Sequence, residues 1–253
     1  VTQSETETNK AKSFPQLLAG LGLISLSLVI STWIGSRAIL DFKKANDVLI
    51  VTGSAKRPIR SDYIVLRLSL VSQRPTIEEA FKDLKNQTVR VQAYLKENGV
   101  PDAAISSNPV ETMTIPEIAE NGRETGRILA HKLTQNLQIR SQDVDKYSQL
   151  SQKSTELINE GINLTVQPPE YLYTQLSKLR VEMVAEATKD AQARAKAIAD
   201  SAGGQVGSVR SAQTGVFQIT ARNSTDVSDS GIYDTSSIEK DITAVVSITF
   251  SMK

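Results

Sequence analysis

The chain has 253 residues, 40% hydrophobic and 23% charged, which is ordinary globular composition with no bias to disorder or fibre. A formal net charge of +1 and 5% aromatic residues give neither the basic footprint nor the stacking platform of a nucleic-acid binder. The absence of cysteine removes disulfides, thiolate metal sites and cysteine nucleophiles, and a single histidine, His131, speaks against histidine metal sites and Ser-His-Asp triads.

Residues 1–14 are polar and rich in threonine and glutamate, and are expected to be disordered. Residues 15–36 then form an uncharged span, predicted to be one transmembrane helix in contact with membrane lipid. Its apolar positions are Leu17, Leu21, Leu23, Ile24, Leu26, Leu28, Val29 and Ile30, with Trp33 at an interfacial position. Ser25, Ser27, Ser31 and Thr32 fit such a span, because helical hydroxyls can bond back to backbone carbonyls. A cleaved signal peptide is the rival reading. Trp33 and Ile34 stand where a cleavage site needs small residues. Lys10 and Lys12 precede the span and Arg37, Lys43 and Lys44 follow it, so lysine and arginine alone leave the orientation open. Residues 37–47 read as a charged linker.

From 48 to 253 the chain reads as one α+β domain. Val48–Thr52 and Tyr63–Val71 look like strands joined by a turn around Pro58. Thr76 with Glu79 forms a capping box, and Ile77, Ala80, Phe81, Leu84, Val91 and Leu95 continue at helical spacing to Asn98-Gly99. Residues 103–115 look extended and 116–126 look like a hairpin loop. Ile128–Arg140 alternates as a long strand. Asp143 caps a second helix that ends at Gly161, and Ile162–Val166 is a short strand closed by Pro168-Pro169.

A third helix is expected over Thr174–Ala202, with Leu176, Leu179, Met183, Ala187, Ala191, Ala195 and Ile198 inward and Gly203-Gly204 as its cap. Val206–Thr220 reads as a strand or half of a hairpin, 221–239 as a polar loop, and Ile242–Phe250 as a final strand. The order ββαββαβαββ predicts antiparallel sheets with helices packed on one face.

Chemistry is sparse. Gly53-Ser54-Ala55-Lys56 lacks the further glycines and following helix of a phosphate loop. Glu78-Glu79 is better explained by capping than by paired acid–base carboxylates. Asp226, Asp229 and Asp234 lack the ligand spacing of a calcium loop. His131 on an apolar strand face reads as a structural histidine. The chain is therefore expected to be non-catalytic, with no catalytic, metal or cofactor-binding residues and no cofactor. The segment Pro168, Pro169, Tyr171, Leu172 and Tyr173 is the candidate partner contact, weighed against a packed strand-to-helix corner.

Several strings carry a resemblance. They are Val51-Thr52-Gly53-Ser54-Ala55, Ala80 with Asn86, and the helix exit Leu95 to Gly99-Val100-Pro101-Asp102 leading to Ile105. Ala187-Ala191-Ala195 with Lys196-Ala197, the run Gly203-Gly204-Gln205-Val206-Gly207-Ser208-Val209 and the strand Ile242–Phe250 complete the set. In order and spacing the chain resembles the SIMPL-domain proteins (DUF541) over about 47–253. Ser61-Asp62 departs from the family's Pro-Asp, and 168–173 is idiosyncratic. The resemblance implies an α+β fold, export, self-assembly into homo-oligomers and a general link to envelope integrity or stress tolerance; it implies no catalytic residues. On that basis the expected place is a bacterial inner membrane, single-pass, with the C-terminal domain in the periplasm. The rival function is a small-ligand or lipid-binding domain, or a weak hydrolase, with a pocket between sheet and helices.

Overall fold

A computed structural model of the chain describes residues 14–45 and 47–253, with side chains of the first helix described from Ala19 to Arg37. Residues 1–13 of the expected tail, Asn46 and the side chain of Leu17 lie outside the described residues.

Helix α1 spans Phe14–Ala45. It runs straight through the segment read as a linker, because nothing between Arg37 and Ala45 breaks a helix. The strands β1 (Val48–Arg60) and β2 (Tyr63–Arg74) follow. They lie in different sheets, so they are not a hairpin. Pro58 sits inside β1 and the turn is Ser61-Asp62; β1 is an edge strand, where a missing N–H costs no ladder bond.

Helix α2 spans Ile77–Glu97, with the Thr76 side chain accepting a hydrogen bond from the Glu79 amide at 3.3 Å. Gly99 closes it at a φ of 74°, a conformation that suits glycine. After β3 (Ile105–Ser107) comes a long antiparallel pair, β4 (Glu111–Ile118) and β5 (Glu124–Ser141). Pro116, expected in the loop, lies within β4 at a register shift against β5. Helix α3 (Val144–Lys153) starts where Asp143 accepts from the Lys146 amide at 3.2 Å. A 3-10 segment carries the chain on to Gly161.

Two short strands, β6 (Leu164–Val166) and β7 (Glu170–Leu172), both pair with β2. Helix α4 spans Leu176–Ser201, followed by β8 (Val206–Thr214), β9 (Gln218–Ala221), β10 (Ile232–Tyr233) and β11 (Glu239–Met252). The segment read as a polar loop thus holds a short strand, paired parallel to β9.

The architecture is α+β. One sheet has six strands, ordered β3-β5-β2-β6, with β4 added to β5 and β7 to β2. The other has five, ordered β1-β11-β9-β10, with β8 added to β11. Alternation decides the faces of the six-stranded sheet. Ile64, Leu66, Leu68 and Leu70 of β2 and Leu133, Leu137 and Ile139 of β5 point to one side. There they pack with Ala80, Leu84, Val91 and Leu95 of α2 and with Tyr147 and Leu150 of α3. Arg67, Ser69, Asn136 and Gln138 point to the other side, together with Val71 and the buried Val65. In α4 the buried stripe is Met183, Ala187, Ala191, Ala195 and Ala199. Ile198, expected inward, is 48% exposed, because the buried row keeps an i,i+4 step that lands on Ala199.

Two compact units can be distinguished, one of 54–187 with 214–245, the other of 1–53 with 188–213 and 246–253. Their boundaries fall inside β1, α4, β8 and β11.

Candidate functional site

The first candidate is α1. Ala19–Arg37 is long and apolar enough to cross a membrane, and none of it is buried against protein. Leu21, Leu23, Ile24, Leu26, Leu28, Val29, Ile30 and Trp33 all stand exposed. Ser25, Ser27 and Thr32 donate to the carbonyls of Gly22, Ile24 and Leu28 at 2.7–2.9 Å, so their hydroxyls need no water. The Arg37 guanidinium lies 3.9 Å from the Trp33 ring centroid, which suits a position where apolar core gives way to polar surroundings.

The corner at 168–173 is built differently from a free contact surface. Pro168 is exposed, Pro169, Leu172 and Tyr173 are half-buried, and Tyr171 is buried. The Tyr171 hydroxyl shares a hydrogen bond with Ser148 at 2.9 Å, its amide donates to Thr235 O at 2.8 Å, and its carbonyl accepts from Lys240 Nζ at 3.0 Å. Glu170 takes both arms of the Arg67 guanidinium, and this donor fork holds its carboxyl below the usual range. Asp62 accepts from the Thr174 amide and hydroxyl at 2.7 and 2.8 Å. The corner is thus fastened through β7 into the six-stranded sheet.

Lys240 has no sequence signal, yet its side chain is fully buried. It donates to the carbonyls of Tyr171 and Ser237 and lies 3.8 Å from Asp234. Burial pushes its ammonium below the ordinary lysine value, against the pull of Asp234. Asp234 in turn accepts from the Ser236 and Ser237 hydroxyls and from the Ser236 amide. Burial would raise its carboxyl, but these donors and Lys240 bring it below the usual value. Asp226 accepts from Ser224 at 2.8 Å. These loop carboxylates are engaged in turn and loop contacts. Among the described residues, no group of three or more acidic, histidine or cysteine side chains could hold a metal ion.

Gly53-Ser54-Ala55-Lys56 lies within β1, with Lys56 3.0 Å from Asp241. Asp241 is 6% exposed at its side chain and also meets Arg222 and the Asn223 amide. Burial pushes its carboxyl up, but the Asn223 N–H, Lys56 and Arg222 outweigh burial and hold it below the usual range. His131 faces Thr114 on β4 and Arg74 on β2, half-buried, with its Nδ1 buried and unpaired. Nearby on α2, Asp83 accepts from Ser72 at 2.6 Å and from Gln87 at 2.8 Å and pairs with Arg74. Glu78 and Glu79 occupy the first turn of α2, as capping requires.

The feature that sequence reasoning missed is an arm. Residues 111–114 of β4 and 124–129 of β5 are exposed on both faces. The arm carries Met113, Ile118, Ile128 and Leu129, each more than half exposed. At its base an apolar groove of about 370 Å³ is lined by Ile77 and Phe81 of α2 with Val110, Thr112 and Leu133. The sequence shows the adjacent apolar pair Ile128-Leu129 at the outer part of β5, but not that no helix covers it.

Two sheets, helices against one face of the six-stranded one and an apolar N-terminal helix define an α+β domain behind a membrane-compatible segment. Over residues 49–250 the sequence matches SIMPL, described as a protein of unknown function (DUF541), and the chain belongs to that family. No curated protein matches it.

Proposed function

We propose that this chain is an exported, single-pass envelope protein whose SIMPL domain lies in the periplasm and self-associates as a non-catalytic scaffold, serving envelope integrity or stress tolerance. The arm carries the reading. Met113, Ile118, Ile128 and Leu129 stand 52–63% exposed beyond a core that is otherwise closed by α2 and α3. Ile128 and Leu129 are consecutive in β5, and exposed apolar surface beyond a closed core offers another chain a place to dock. The apolar helix α1 supports the same reading, since tethering copies in one bilayer raises their local concentration. Side chains that chemistry would recruit, such as Asp83 and Asp241, are occupied by structural partners.

The test is the absolute mass of the full chain in detergent, by light scattering, beside a Met113→Ser, Ile128→Ser, Leu129→Ser variant. A discrete multimer that shrinks in the variant is expected; a monomer for both removes self-association. Protease added to intact spheroplasts tests export: degradation of the domain is expected, and its protection would place it inside the cell. Turnover in a hydrolase panel that disappears in His131→Ala would overturn the non-catalytic part.

A further inference from the structure

A sheet edge presents a row of unpaired amide and carbonyl groups, and folded chains guard such rows against pairing with another strand. The edges of the two sheets here carry guards of several kinds. β1 contains Pro58, and its Lys56, Arg57 and Arg60 are tied to Asp241, Glu182 and Asp145. β4 has Pro116 and two register shifts. β3, β6 and β7 are three residues long and β10 is two.

β8 lacks these devices. Its nine residues contain no proline and one charge, Arg210. Among the described residues it pairs with β11 alone. That inner side is firmly seated. A Cβ on Gly207 would come within 2.9 Å of the Ser251 carbonyl oxygen, so only glycine allows the approach. Ser251 Oγ donates to Ser208 O at 3.2 Å, and the Gln205 and Lys253 backbones exchange hydrogen bonds at 3.2 and 2.9 Å. Ser208 to Thr214 are exposed on both faces of the strand. An open groove of about 870 Å³, bordered by Lys189, Gln192 and Lys196 of α4, runs beside Gln205–Val209. An edge seated on β11 along one side and unguarded along the other is a template for one more strand.

We propose that β8 pairs antiparallel with β8 of a second copy about a two-fold axis at Ser211, which joins two five-stranded sheets edge to edge. The proposal rests on the self-association inferred above and adds to the arm a second contact between copies. The strand's own sequence selects the occupant. Centred on Ser211, the pair sets Arg210 opposite Ala212, Val209 opposite Gln213 and Ser208 opposite Thr214. Centring on Arg210 would set two guanidinium groups face to face, which cross-strand pairing disfavours. The side chains of β8 are mostly small and polar, so they offer an unrelated peptide little to read, whereas a copy needs only the shared register. α1 and residues 206–213 of β8 fall in the same compact unit, so anchored copies would carry this edge into one bilayer's neighbourhood.

The chain has no cysteine, which makes single-cysteine crosslinking clean. The full chain in detergent carrying Ser211→Cys is expected to form a disulfide-linked dimer at least about tenfold faster than Val227→Cys, whose exposed loop site reports random collision. A second variant, Val209→Lys with Gln213→Lys, sets lysines opposite one another at exposed positions. Its particle mass should fall about twofold while its circular dichroism stays unchanged. Equal crosslinking rates, or an assembled wild type whose mass the lysines leave alone, overturn the β8 contact while self-association stands. A wild type that is monomeric at every concentration overturns both. A different polypeptide found in the wild-type particle by mass spectrometry overturns the second copy as occupant.

Discussion

The two ends of β5 follow the same rule of sequence and meet opposite fates. Leu133, Leu137 and Ile139 are 0–2% exposed beneath α2 and α3, whereas Ile128 and Leu129 of the same strand are 55% and 52% exposed. Both ends are β-forming and both are paired, the one with β2 and the other with β4. What differs is cover on the sheet face. Pairing satisfies the backbone, and only a helix laid over the strand removes the side chains from water. The energetic consequence of each leucine is therefore set by an element far away in sequence.

The largest test of that contrast is Leu137→Ala. At 1% exposure, its removal leaves a cavity under α2 and is expected to cost about 2–5 kcal/mol in urea denaturation of the full chain in detergent. The same change at Leu129 is expected to cost less than about 0.5 kcal/mol. Similar losses at both sites would mean that the arm is covered in the folded protein.

Cover made of charge should behave differently from cover made of helix. Asp241 is screened by Lys56, Arg222 and the Asn223 amide, and its folded pKa lies below the unfolded one. Its stabilisation is complete above the unfolded value, near pH ~4, and is lost as pH falls through the lower folded value. Asp241→Asn is expected to cost about 1–3 kcal/mol at neutral pH. It should also flatten the acid limb of a stability–pH curve, whereas Leu137→Ala lowers that curve evenly. An acid limb unchanged in Asp241→Asn would assign acid sensitivity to Asp234 or Glu170, the other carboxyls held low.

The start of the cover can also be moved. α2 begins at Thr76, and its first turns carry Ile77 and Phe81 to the groove at the base of the arm. Thr76→Ala removes the acceptor for the Glu79 amide and is expected to cost about 1 kcal/mol. Hydrogen exchange should quicken at residues 77–81 and stay slow at Leu95. Equal quickening along all of α2 would show that the helix opens as one piece.

Much of this was legible in the sequence because it is local. The Thr76 and Asp143 caps, the turn at Asn98-Gly99 and the alternation of β5 and β11 depend on neighbours within a few positions, and each was found where expected. What was not legible depends on distant partners. Pro58 reads as a turn until β1 is known to be an edge. Tyr171 could be read either as a partner contact or as part of a packed corner, because Ser148 and Thr235, to which it bonds, are distant in sequence. Lys240 falls between the segments read as loop and strand, and nothing in the sequence marks it as buried until two carbonyls and Asp234 close around its ammonium. The arm was missed for the same reason: periodicity shows which face a side chain takes, not whether anything lies over it.

The smallest stability effect bears most on function. Ile128→Ser, 55% exposed and outside the packed core, is expected to leave the denaturation midpoint within about 0.5 kcal/mol of the wild type. If the arm is a docking surface, the same change should lower the concentration-dependent mass of the full chain and slow its association. A side chain that contributes nothing to folding yet alters assembly can only act between molecules. If mass and midpoint both stay fixed, Ile128 is solvent-facing apolar surface of the kind every protein carries, and the docking surface must lie along the edge of β8 instead.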